Sequence, residues 1–152
     1  MTSISKILKS LNLRKKNERV FYAINQDVLI GMKDVIKISK KLKKDQKIFR
    51  ICLHKDDKSK IHEMIMVHIK PQKIGPLKQY KKNISYHLLK GELKIKQISN
   101  SKTKIFHLNN KKRVHARIKC NVFRVVESLK PMTIFLEISE GPFKDKDTIW
   151  KN

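Results

Sequence analysis

The stretch Leu77-Lys-Gln-Tyr-Lys-Lys-Asn-Ile-Ser-Tyr-His-Leu-Leu-Lys-Gly-Glu-Leu93 decides how this chain is read. Successive side chains of a strand point to opposite faces. Ile84, Tyr86 and Leu88 therefore share one face and His87 lies on the other. Beyond Gly91 the same period continues, with Leu93 and Ile95 alternating with Lys94 and Lys96.

Working outward, period two recurs from residue 46 onward. Phe49, Ile51 and Leu53 alternate with Ile48, Arg50 and Cys52, and Ile65, Val67 and Ile69 with Met64, Met66 and His68. Later, Val114, Ala116 and Ile118 alternate with Arg113, His115 and Arg117, and Ile134, Leu136 and Ile138 with Thr133, Phe135 and Glu137. Some of these segments are apolar on both faces. Polar turns such as Ser99-Asn100-Ser101-Lys102 separate them. A strand about every 10 residues predicts a sandwich or barrel. The expected fold class is mainly β, a jelly roll, preceded by one or two short N-terminal helices.

Those helices belong to an expected extension over residues 1–45, ahead of a barrel over 46–152, the whole forming one structural domain. Ile4, Ile7, Leu8 and Leu11 have the spacing of an amphipathic helix within residues 1–16. A membrane-surface role for that helix is weighed and set aside, because its apolar stripe is short and lacks Trp or Phe. Residues 20–32 read as a strand and turn with Gly31 as the breaker. Asp34 is expected to cap a helix carrying Val35, Ile38 and Leu42.

The 152 residues carry a formal charge of +24, which raises the question of nucleic acid. Of the 37 basic residues, however, only six are Arg, and the lysines are spread through every segment. Aromatic content of 7% leaves few platforms for stacked bases. A solvated lysine coat is the preferred reading, with nucleic acid disfavoured as a partner. No apolar run approaches the ~20 residues of a membrane span. The N-terminus lacks a continuous apolar stretch of the signal-peptide kind, so a cytoplasmic location is expected. Cys52 and Cys120 form no CxxC and read as reduced, small apolar residues.

Three motifs in order carry a family resemblance. Ser85-Tyr86-His87-Leu88-Leu89-Lys90-Gly91-Glu92-Leu93 resembles the first motif of the cupin superfamily and is most similar to that of the small WbuC-like cupins. Phe49-Arg50-Ile51-Cys52-Leu53-His54 and His62-Glu63-Met64 resemble that family's Arg-x-Cys-Leu-His and His-Glu-Met segments. The late strand ending in Gly141-Pro142-Phe143, followed by Trp150, resembles its C-terminal pattern.

The resemblance covers about residues 20–151 and implies a cupin barrel linked to bacterial surface polysaccharide synthesis and nucleotide-linked sugars. In the family a metal is held by two His, a Glu and a further His. Here those slots fall on Leu77, Gln79, Ile84 and Arg124. Aliphatic carbon, a neutral amide and a permanent cation are poor metal ligands. A degenerate site without a metal cofactor is therefore expected. None of the six histidines forms an HxH pair.

The altered pocket still suits a sugar or an anion. Arg124 is expected to pair with Glu137 or with a ligand's carboxylate or phosphate. Tyr86 is expected to stack on a sugar or donate a hydrogen bond, and Arg50, His54 and Gln79 complete the candidate substrate-binding set. If the protein is an enzyme, the resemblance implies an isomerase- or epimerase-like reaction without metal. A non-catalytic scaffold is the rival reading. A homodimer through edge strands is compatible with the resemblance.

Overall fold

A computed structural model describes residues 3–152. Met1 and Thr2, part of the expected first helix, lie outside the described residues. The chain runs as α1 (Ile4–Ser10), β1 (Leu13–Asn17), β2 (Val20–Ala23), α2 (Met32–Ser39), β3 (Ile48–Cys52) and β4 (Ile61–His68). It continues as β5 (Lys73–Gln79), β6 (Ile84–Lys90), β7 (Glu92–Ile98), β8 (Thr103–Asn109), β9 (His115–Ile118), β10 (Phe123–Ser128), β11 (Thr133–Glu140) and β12 (Thr148–Trp150). Seven strands form one sheet in the order β1-β2-β3-β4-β11-β6-β9, and five form a second in the order β12-β5-β10-β7-β8. This is a mainly β jelly roll with two short helices, as the period-two pattern predicts.

The segments that are apolar on both faces belong to strands that serve two cores. Phe49 and Ile51 of β3, Ile65 and Val67 of β4, and Ile134 of β11 point away from the barrel. They pack under Ile7 and Leu8 of α1 and Val35 and Ile38 of α2. The opposite face of β11 carries Phe135 into the barrel interior beside Tyr86, Leu88, Leu93, Ile95 and Leu108. Full burial of each such side chain contributes roughly 1.5–3 kcal/mol.

Near the N-terminus the structure departs from the sequence reading in three places, the simplest being that α2 ends at Ser39 and leaves the expected Leu42 outside the helix. The first helix does not reach residue 16. Asn12 adopts a left-handed conformation (φ 53°), which ends α1, and Leu13 starts a strand. Asp34 is not the N-cap of α2. Gly31 holds that position, and Asp34 reaches back from the first turn to accept the Gly31 amide hydrogen bond at 2.9 Å. β1 and β2 continue the seven-stranded sheet, with β2 parallel to β3. α2 is the crossover between β2 and β3.

Gly91 is the sole residue between β6 and β7. Its φ of 86° favours glycine, and a Cβ there would lie 2.8 Å from Thr133 Cα. Thr133 accepts from the Glu92 amide and donates to the Lys130 carbonyl at 2.7 Å. Gly91→Ala is expected to cost about 2–3 kcal/mol in denaturant unfolding, because it combines backbone strain with a clash against a fixed strand.

Candidate functional site

The inward faces of β3, β4, β5, β6, β10 and β11 line a cavity of about 540 Å3. All six residues expected from the sequence, Arg50, His54, Gln79, Tyr86, Arg124 and Glu137, border it. Strand alternation accounts for the grouping. Glu137 stands opposite Tyr86 on one side and Met64 on the other, so all three share the barrel face. Arg124 comes from the facing sheet, where it pairs in register with Leu77.

Arg124 is only 4% exposed, and its Nε donates to Tyr86 Oη at 2.7 Å. This hydrogen bond spans the barrel and ties the two sheets together. The expected direct pairing of Arg124 with Glu137 is absent among the described residues, since Tyr86 is the group that Arg124 meets first. Tyr86 is itself 1% exposed and packs on Phe135, so it offers a hydroxyl and not a stacking face. Arg50 lines the same cavity, and its Nε is buried without a partner among the described residues.

Glu137 is held above the usual carboxylate range. Burial raises it, and the nearby Arg124 and Arg50 charges only partly oppose that effect. Burial also raises the Tyr86 phenol. The cavity thus contains two guanidinium groups, a carboxyl that resists ionisation and a neutral phenol.

Gln79 Nε2 donates to Thr148 Oγ1 at 2.9 Å, which anchors β12, while its Oε1 is buried without a partner. His54 stacks on His62 with ring centroids 4.1 Å apart, as their placement across a turn suggests. His54 Nδ1 accepts from the Glu63 amide at 3.1 Å. Burial pushes His54 down to about 4, helped by the neighbouring His62, and burial together with Lys82 lowers His62. Gly141 lets the chain leaving β11 press against His62, since a Cβ there would come within 2.9 Å of His62 Nε2. The Gly-Pro-Phe motif therefore packs directly on the His-Glu-Met motif.

The sequence reading missed the mouth of the cavity. Tyr22 donates to Asp57 Oδ1 at 2.6 Å, and Lys16 approaches the same carboxylate at 3.4 Å. Lys82 is buried, lies 3.5 Å from Asp147 and donates to the Pro142 carbonyl. Phe143 and Trp150 also border the opening. The only advance signal for these groups was the Gly-Pro-Phe and Trp pattern near the C-terminus.

The family resemblance implies a metal in the barrel, and the residues here do not fit one. Leu77 and Ile84 are 8% and 2% exposed and present only carbon. Gln79 offers only a neutral amide oxygen, and Arg124 brings a guanidinium into the slot. Among the described residues, no group of three or more His, Cys, Asp or Glu side chains is arranged to hold a metal ion.

A wider groove of about 640 Å3 lies outside the barrel, by the β6–β7, β8–β9 and β10–β11 turns. Lys111, Lys112 and Arg113 border it, and its carboxylate, Glu92, already contacts His107 and Lys130.

No family model and no curated protein matches the chain. Solved structures do match. QdtA, a sugar 3,4-ketoisomerase from Thermoanaerobacterium thermosaccharolyticum in complex with TDP, superposes with a TM-score of 0.52 at 19% identity. That match covers 57% of this chain and 64% of QdtA. The capsular polysaccharide assembling protein CapF from Staphylococcus aureus gives 0.59 at 12% identity, over 71% of this chain and 33% of CapF. Oxalate decarboxylase from Bacillus subtilis gives 0.50 at 15% identity, over 60% of this chain and 24% of the enzyme. The chain thus spans less than two thirds of each of these proteins. At such identities the likeness establishes the fold: the chain is a cupin-fold protein, a double-stranded β-helix with two facing sheets. Among the described residues, no helix is long and apolar enough to cross a membrane.

Acid should expose the buried imidazoles. His68 is fully buried, bonds Ser128 Oγ at 2.9 Å, and is pushed by burial down to about 4. A histidine with a lowered folded pKa stabilises the fold above its unfolded value of 6.5, and that stability is lost as pH falls toward 4. For His68 the loss approaches about 3 kcal/mol. Melting temperature followed over this range should fall, and His68→Gln should make the fall shallower.

Proposed function

We propose that this protein is a metal-free, WbuC-like cupin of bacterial surface polysaccharide synthesis, whose barrel binds an anionic or nucleotide-linked sugar. The observation that carries the reading is Arg124. A guanidinium taken out of water costs several kcal/mol unless it is paired, and its one hydrogen-bond partner among the described residues is the neutral Tyr86 hydroxyl. Arg50 adds a second cation with an unsatisfied Nε. Glu137 is disfavoured as an anion by burial and does not neutralise them fully. A carboxylate or phosphate entering the cavity would supply the missing counter-charge and accept paired N–H bonds from the planar fork of Arg124.

The volume supports the same reading, since about 540 Å3 falls within the roughly 300–1,000 Å3 of small-molecule sites. QdtA in complex with TDP and the polysaccharide assembling protein CapF share the fold, which makes sugar chemistry the first class to test.

A thermal-shift panel of acidic sugars and nucleotide sugars tests the proposal. At least one should raise the melting temperature, and the rise should survive added salt. Arg124→Ala should weaken binding by about ten-fold or more, and Arg124→Lys should not restore it, because a point charge cannot reproduce the planar fork. If no member of the panel binds, the barrel is not a sugar or anion site and the proposal fails. The metal claim is tested separately: protein purified without chelator should carry far less than one equivalent of Fe, Mn, Ni or Zn by elemental analysis.

A further inference from the structure

Trp150 is the single tryptophan of the chain, and it is 60% exposed at the cavity mouth. Its position is fixed by the fold. β12 is the edge strand of the five-stranded sheet, and Trp150 pairs in register with Leu77, a residue that faces the cavity. Partners in a strand pair share a face, so the indole stands on the cavity side. The hydrogen bond between Gln79 and Thr148 and the Lys151 amide bond to the Pro76 carbonyl at 3.0 Å hold the strand on either side of it.

Phe143, 41% exposed, borders the same opening, and Lys82 Nζ lies 5.9 Å from its ring centroid. The mouth therefore presents two accessible aromatic rings on a fixed frame, while the interior holds the two guanidiniums. A simple acidic sugar would use the interior and leave the rings wet. A ligand with a flat ring at one end and an anion at the other would engage both regions.

We propose that Trp150, together with Phe143, forms a platform on which a nucleobase stacks while the anionic part of the same ligand reaches Arg124 and Arg50. This rests on the reading of the barrel as an anion site and narrows its ligand to a nucleotide or nucleotide sugar. Stacking on an exposed aromatic tolerates different bases, so the platform contributes affinity more than base choice.

Because the chain has one tryptophan, its fluorescence reports on this platform alone. TDP, TDP-glucose and glucuronic acid would be titrated into wild type, Trp150→Ala and Arg124→Ala, with fluorescence and calorimetry read in parallel. The proposal expects TDP and TDP-glucose to quench the wild-type emission. Trp150→Ala should raise their Kd about ten-fold, with its melting temperature close to wild type. Glucuronic acid, if it binds, should neither quench nor respond to Trp150→Ala.

Calorimetric binding of the nucleotides that depends on Arg124, without quenching and without loss in Trp150→Ala, would overturn the platform and leave the barrel reading standing. Binding of glucuronic acid alone would overturn it in the same way. Absence of binding by all three would overturn both.

Discussion

Strand β11 has to satisfy two hydrophobic cores at once, and the rest of the molecule is arranged around that constraint. It lies between β4 and β6 near the middle of the larger sheet. Ile134 on one face supports the helical layer, and Phe135 on the other fills the barrel. Two residues further on, the same inward parity delivers Glu137 into the cavity. A one-residue slip in this register would exchange the two faces and place Glu137 against the apolar layer beneath α1 and α2. The cavity is therefore positioned by the same alternation that builds the cores.

Within that frame the polar groups of the barrel are unevenly satisfied. Among the described residues Arg124 has one neutral partner and Arg50 Nε and Gln79 Oε1 have none, and Glu137 resists ionisation. Unmet hydrogen-bonding groups concentrated along one cavity are unusual for a filled core. The helical layer shows the contrary pattern, with a continuous apolar cluster from Ile7 to Ile134. This contrast separates an apolar core beneath the helices from a barrel interior that holds both open space and charge.

Much of this was legible in the sequence, for identifiable reasons. Strict alternation at Phe49–Leu53, Ile65–Ile69 and Thr133–Ile138 marked β3, β4 and β11, because each face of those strands meets a distinct environment. β5 was hidden by Gly75 and Pro76, which interrupt its pattern, and β8 by its exposure on an outer edge. The six candidate residues lie at or near motif positions, and the fold gathers them at one cavity. What they do to one another was not legible. The sequence suggested that Arg124 would meet Glu137, but only the separation between the two sheets decides that Tyr86 intervenes. The mouth was the least readable part, because Tyr22, Asp57, Lys82 and Trp150 converge from segments as distant as β2 and β12.

The central place of β11 also bears on how the chain reaches its fold. The unit formed by β2, α2 and β3 joins residues close in sequence, within 20–52. The β4–β11 ladder pairs His62 with Ser139 and His68 with Thr133, so it closes a long loop, residues 69–132, that holds β5 to β10. Non-local ladders of this kind form late, after their loop-closure entropy has been overcome by nearer contacts. During synthesis on a ribosome, β4 and β6 are therefore exposed as two unpaired edges until β11 emerges to fill the gap between them. The abundant lysines on the nascent chain would then act as charge gatekeepers, keeping those waiting edges from pairing with other chains.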